Sequence, residues 1–236
     1  IRSLISGSQG PLEAKWRYVF ECMFRDLGFD NDSNEVWKQA PFQGRFFNAQ
    51  QLVANLIDYM DKDSESYNEQ NFEKGVEGEI KEQDGDIFKN NIIQQIDEIG
   101  TIPGFTASRT RKLLPYVTTY GEKKTVNLNL ASRRILKCLS PEILPNEVDK
   151  IIEYRESEDG PFKVDTYSSL IRGQMVADST WNDISSIVSV GPSSSASAYF
   201  SILSKVDYGT ATYFMRAVVY RWSSGDLPEI ASVEIF

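Results

Sequence analysis

The sequence predicts an α+β fold: an N-terminal helix packed on a small antiparallel sheet, with a large all-helical segment inserted between them. Three observations lead there. Apolar residues recur at helical spacing through the first and middle parts of the chain, and the last third switches to alternating β-branched and aromatic residues. Three strands are not stable alone and need a cover, and the aromatic-rich first helix is the candidate. The expected division is therefore 1–48 with 178–236 as one discontinuous unit and 49–177 as the insertion.

The elements follow in order. Leu12, Trp16, Val19, Phe20, Met23, Phe24 and Leu27 share one helical face, and Gly28 ends that helix. Residues 35–47, with Pro41 and Gly44, read as irregular, and the aromatic residues Trp37, Phe42, Phe46 and Phe47 read as core. A second helix covers Gln50 to Met60, a third Phe88 to Ile99, and a fourth Ala107 to Leu114, stopped by Pro115. Tyr116 to Tyr120 is β-prone. Ser132 is placed to cap a short helix carrying Ile135, Leu136 and Leu139. After a turn, Val148, Ile151 and Ile152 define another helix, and Val164 to Leu170 a further short one. Ile184 to Val190 is apolar and β-branched, and Gly191 to Ser197 is a small-residue loop. The strands are Tyr199 to Asp207, Ala211 to Trp222 and, after a turn at Gly225-Asp226, Ile230 to Phe236.

Composition excludes several functions. The 236-residue chain carries a net charge of −9, which opposes non-specific nucleic-acid binding as its main task. It has no histidine, which rules out Ser-His and Cys-His catalysis. No apolar run reaches membrane-spanning length. The opening at Ile1 looks like the tail of something cut, so a preceding segment is expected. Cys22 and Cys138 both fall on predicted helices among apolar neighbours. Two buried thiols is the first reading, and a disulfide formed in an oxidising compartment is the alternative.

Two motifs bear on function. The segments around Ile102–Thr106 and Val126–Phe162 have the layout of helix-hairpin-helix units. DNA-binding versions use a Gly-apolar-Gly hairpin that presents backbone N–H groups to phosphate. Here the first has Thr106 in place of the second glycine. The second, LSPEILPNE, has none and carries Glu142 and Glu147. Arg109, Arg111 and Lys112 are the only favourable feature, so the units read as packing scaffold.

The second motif is acidic. Between Asp58 and Asp86 eleven carboxylates face three lysines, about −8. The plain reading is a solvated loop. The sharper one is a calcium site drawn from Asp58, Asp61, Asp63, Glu65 and Glu69, because crowded carboxylates repel unless a cation separates them. The EF-hand loop is not matched, since Ser66 stands where its glycine belongs.

Taken in order, several pieces resemble the minor pseudopilin K family of the type II secretion system, also called general secretion pathway protein K. They are Glu35-Val36-Trp37, the run Leu56 to Asp63, and Ile99-Gly100 with Ile102-Pro103-Gly104-Phe105. Leu114-Pro115-Tyr116-Val117-Thr118 follows, then Val126-Asn127-Leu128-Asn129 with Ala131-Ser132. Arg155 before Gly160-Pro161-Phe162, and Tyr199-Phe200 ahead of strands with Arg216 and Arg221, complete the order. The competence DNA receptor shares only the Asn-rich hairpin part and carries the glycines missing here.

The resemblance implies a pilin-like domain interrupted by the helical insertion. It also implies a membrane-anchoring N-terminal helix in the bacterial inner membrane and a periplasmic soluble region. The role implied is a non-enzymatic place at the pseudopilus tip beside minor pseudopilins I and J, starting or capping assembly. It implies calcium in the helical part, which supports Asp58, Asp61 and Asp63, and no nucleic-acid partner. The alternative is a helix-hairpin-helix nucleic-acid-binding protein of a DNA-uptake system.

Overall fold

The computed structural model describes residues 1–4, 11–31, 34–121, 124–191, 198–221 and 227–235. The chain is α+β, with a helical body followed by a three-stranded antiparallel sheet. Helix α1 (Pro11–Asp26) presents Trp16, Val19, Phe20, Met23 and Phe24 as one buried face. Gly28 ends it at φ +81°, and the N–H of Phe29 returns to the carbonyl of Phe24. Residues 35–47 are irregular, closed by backbone bonds between Trp37 and both Gly44 and Arg45.

Helix α2 (Ala49–Met60) starts at Asn48, whose side chain accepts from the Gln51 N–H while the Gln51 side chain accepts from the Asn48 N–H. It is buried almost all round and forms the axis of the body. Helix α3 (Ala107–Leu113) is capped by Thr106, and α4 (Arg133–Lys137) by Ser132 as expected. Helix α5 (Pro145–Glu156) follows the hairpin turn. Helix α6 (Tyr167–Leu170) passes into a wider turn at Ile171–Met175 before α7 (Asp178–Ile184), which the sequence reading missed. Short strands β1 (Val126–Asn127) and β2 (Val188–Ser189) pair in parallel.

The resemblance residues of the middle region meet at one joint. The Asn129 side chain donates to the carbonyls of Phe162 and Val190 and accepts from the Phe162 N–H. Arg155 donates to the carbonyls of Leu128 and Ala131, and Tyr154 stacks on Phe162. Buried backbone groups left by the tight turns thus obtain partners, which explains polar residues at those positions in a scaffold.

Three expectations are corrected. Among the described residues the first helix does not pack on the sheet. It packs on α2 and α4 in the common core of the helical body, and a disulfide between Cys22 and Cys138 ties it there, replacing the two buried thiols. Phe88 to Ile99 is not an α-helix. Asn90 takes φ +50°, which interrupts any helix, and the chain turns only at a 3₁₀ segment, Ile96–Thr101. Residues 192–197 of the expected loop Gly191 to Ser197, Trp222, the turn Gly225-Asp226 and Phe236 lie outside the described residues.

The sheet runs β3 (Ala198–Tyr208), β4 (Ala211–Arg221), β5 (Glu229–Ile235) in spatial order. Directly paired residues point to the same side, so the register sorts the faces. One carries the pairs Phe200–Val219, Ile202–Ala217 and Val206–Tyr213, extended by Ile230, Val233 and Ile235 on β5. The other carries Leu203 opposite Arg216, Lys205, Asp207 and Glu234, with an Arg216–Glu234 ion pair. The mixed face meets the body at one corner, where Tyr120 packs on Tyr199 and hydrogen-bonds Ser232. On the apolar face Phe200, Ile202, Val206, Tyr213, Ile230, Val233 and Ile235 all remain exposed.

Candidate functional site

The acidic segment folds back over the C-terminal end of α2. Asp58 sits on the last turn with its carboxylate fully buried. Its two oxygens accept from the N–H groups of Tyr67 (2.5 Å) and Glu77 (3.2 Å). Gly75 makes this possible, because a Cβ there would collide with the Asp58 carboxylate. Asp58 therefore folds the loop back over the helix end. Asp61 caps α2 through its backbone, and Asp63 accepts from the Glu65 N–H in the following turn.

The electrostatics of this cluster are unbalanced. Burial raises Asp58 to about 6 against its backbone hydrogen bonds. Asp61 is raised to about 8, first by burial and then by the charges of Asp63, Asp58 and Glu77. Glu77 is raised to about 7, first by burial, with Asp58 and Asp63 adding to it and a hydrogen bond from Asn90 opposing. No Lys or Arg figures among these influences. The C-terminal end of α2 adds its own partial negative charge. Asp61 Oδ1, Glu77 Oε2 and Asn90 Oδ1 are buried with no hydrogen-bond partner among the described residues. Three orphaned oxygens around negative charge are the donor set a hard cation takes. Among the described residues no three acidic or sulfur side chains yet converge in a ready coordination shell. The donors fit an oxygen-seeking ion, with the carbonyls and waters that calcium adds to its six to eight ligands.

Of the five acidic residues picked from the sequence, Asp58, Asp61 and Asp63 are brought together. Glu69 is not: it pairs with Arg17 at 2.5 Å and with the Tyr67 hydroxyl. Glu65 is exposed on the loop and contributes its N–H to Asp63. Glu77 and Asn90 were missed. They lie 16 and 29 residues beyond Asp61; the Asp58-held loop returns Glu77 to the helix end, and the Asn91 N–H, bonded to the Tyr59 carbonyl, brings Asn90 there.

The hairpins are occupied by the protein's own groups. Gly104 takes φ +96°, and a Cβ there would lie 2.6 Å from Leu52 and 2.9 Å from Phe47, so this glycine serves close packing. Arg109 is buried and donates to the carbonyls of Phe29, Phe47 and Gly104. At the start of α5, Glu147 accepts from the N–H groups of Leu144 and Ala177, taking the place where a phosphate would bind in a nucleic-acid hairpin. Among the described residues no helix is long and apolar enough to cross a membrane. No protein-family model matches the chain, and no curated protein is recognisably similar to it.

Proposed function

We propose that this chain is a non-enzymatic structural subunit at the tip of a type II secretion pseudopilus, starting or capping its assembly with minor pseudopilins I and J. The observation that carries the reading is the open apolar face of β3–β4–β5. A small sheet with one mostly apolar and largely exposed face is an incomplete layer. In a pilin-like domain the membrane-anchoring helix implied by the resemblance is the element that would lie on it, with the helical body as the insertion. The region described here would then be periplasmic, on a protein anchored in the inner membrane. The Cys22–Cys138 disulfide agrees with that oxidising compartment.

Calcium belongs to the same reading. Asp58, Asp61, Asp63, Glu77 and Asn90 would hold the ion at the C-terminal end of α2, clamping the acidic loop and so shaping the surface the tip presents. Glu65 and Glu69 drop out of the ligand set on their contacts. The nucleic-acid alternative gains no support, since Arg109 and the α5 N-terminus are already used internally.

The test is co-purification with candidate I and J subunits beside a DNA shift assay at low salt. A complex with I and J that is lost in Ile202→Asp with Val233→Asp is expected, with no DNA shift. Salt-sensitive DNA binding without a complex would overturn the proposal.

A further inference from the structure

Helix α1 buries two charged residues, Glu13 and Arg17, which are 6% and 8% exposed and approach at 3.5 Å. Taking such a pair out of water costs about as much as its attraction returns, so stability alone does not explain it. Arg17 also reaches away from α1. Its guanidinium binds Glu69 at 2.5 Å and lies 5.7 Å from the centre of the Tyr67 ring and 6.0 Å from that of Phe72. Those two rings pack edge to face, and the Tyr67 hydroxyl donates to the same Glu69 carboxylate. Burial first, and then that hydrogen bond, raises the hydroxyl above its ordinary range, so it remains a donor. The backbone of Tyr67 serves the acidic cluster instead. Its N–H donates to Asp58 at 2.5 Å, and its carbonyl accepts from the N–H of Gly75, the residue that makes room for the Asp58 carboxylate. One residue is therefore held to α1 by its side chain and to the cluster by its backbone.

We propose that Tyr67 and Arg17 are positioning residues for the cation site, linking its affinity for calcium to the seat of the loop on α1; this rests on calcium occupying the Asp58–Glu77 cluster. A ligand carboxylate is oriented by the groups that bind its remaining lone pairs. The N–H groups that bind Asp58 come from Tyr67 and Glu77, and both stand on the loop rather than on α2. The clasp of Arg17, Glu69 and Phe72 around the Tyr67 side chain fixes where the first of those N–H groups points. Arg17 does not act on the cluster by its charge, since no Lys or Arg figures among the influences on Asp58, Asp61 and Glu77. It acts through Tyr67. Linkage is reciprocal, so an ion that fixes the loop also tightens its hold on α1.

The test is calcium titration calorimetry on the whole chain, with the fold of each variant checked by circular dichroism. Tyr67→Ala and Arg17→Met are each expected to weaken calcium binding about tenfold at unchanged stoichiometry, as for loss of a group that orients a metal ligand. The sign is informative for Arg17→Met, because removing a positive charge near carboxylates would by charge alone strengthen cation binding. Tyr67→Phe keeps the ring and should keep most of the affinity. The double variant Tyr67→Ala with Arg17→Met should lose no more than either single one, since both act through one clasp. Val148→Ala, buried on α5 away from the loop, should lower the melting temperature and leave calcium affinity unchanged. Full or greater affinity in Tyr67→Ala and Arg17→Met, beside a wild-type chain that binds calcium, overturns the proposal and leaves the calcium reading standing. Additive losses in the double variant overturn it too, as does an equal loss in Val148→Ala. A wild-type chain that binds no calcium overturns both.

Discussion

Helix α1 and the β3–β4–β5 sheet are both amphipathic, yet they end differently. The apolar face of α1 is buried against α2 and α4 and stapled by a disulfide. The apolar face of the sheet leaves Phe200, Ile202, Val206, Tyr213, Ile230, Val233 and Ile235 exposed, while its mixed face meets the body at Tyr120. Hydrophobic pattern states that a face must be covered, not by what. Both elements sought a cover. The helix found one among residues 49–139, held by Cys138, and the sheet leaves Phe200, Ile202 and Ile235 exposed.

The contrast can be broken by mutation, and the largest effects should fall on the helical side. Replacing Cys22 and Cys138 by Ser and Ala is expected to cost about 2–5 kcal/mol, since the bridge closes a loop spanning 116 residues of sequence. Leu56→Ala in the centre of α2 should cost a similar 2–5 kcal/mol in chemical denaturation. A loss under about 1 kcal/mol from either would mean that the body is less well packed than its burial implies.

Calcium comes next. An ion bound only by the folded chain adds about 2.7 kcal/mol at 100 times its dissociation constant, so chelator should lower the melting temperature. Asp61→Ala with Glu77→Ala should remove that difference, whereas Glu65→Ala should not. Equal melting in chelator and in millimolar calcium would return the segment to a solvated loop.

The pH dependence of the calcium-free chain has a definite sign. Asp58, Asp61 and Glu77 hold protons in the folded state up to about 6, 8 and 7, against ordinary values of 3.8, 3.8 and 4.5. The folded chain therefore binds more protons than the unfolded one between about pH 4 and pH 8. The stability these groups contribute is full below that window and is lost as pH rises through it. Calcium should flatten the profile by replacing the protons. A melting temperature that rises with pH over this range in chelator would contradict the assignment. Smallest of all, Ile202→Ala and Val233→Ala should change the stability of the isolated chain by no more than about 0.5 kcal/mol.

The same contrast shows what the sequence made legible. Local features were readable because they depend on neighbours: the α1 periodicity, the Gly28 and Ser132 caps, and the strand boundaries to within a residue or two. The false helix at Phe88 to Ile99 came from isoleucines at helical spacing, while Asn90 and Asn91 carried the warning. Long-range closure was not readable. The Asp58 and Asp61 spacing marked one side of the acidic cluster, but Glu77 joins it only through the loop that Asp58 ties down, and Asn90 through the bond from the Asn91 N–H to the Tyr59 carbonyl. Cys22 and Cys138 are adjacent only because α1 packs on α4, the opposite of the packing that the unstable sheet seemed to require.

The most direct test of the account compares two adjacent residues on opposite sides of β3. Ile202→Cys lies on the apolar face and Leu203→Cys on the mixed face, and both positions are exposed in the chain described here. Each variant would be labelled with a maleimide, first as this isolated region and then as the membrane-anchored chain assembled with subunits I and J. In isolation both should react readily. In the assembly, position 202 should become protected while position 203 stays closer to its isolated rate. Equal reactivity of position 202 in both states, within a verified assembly, would contradict the claim that the apolar sheet face is the buried side of a pseudopilus subunit.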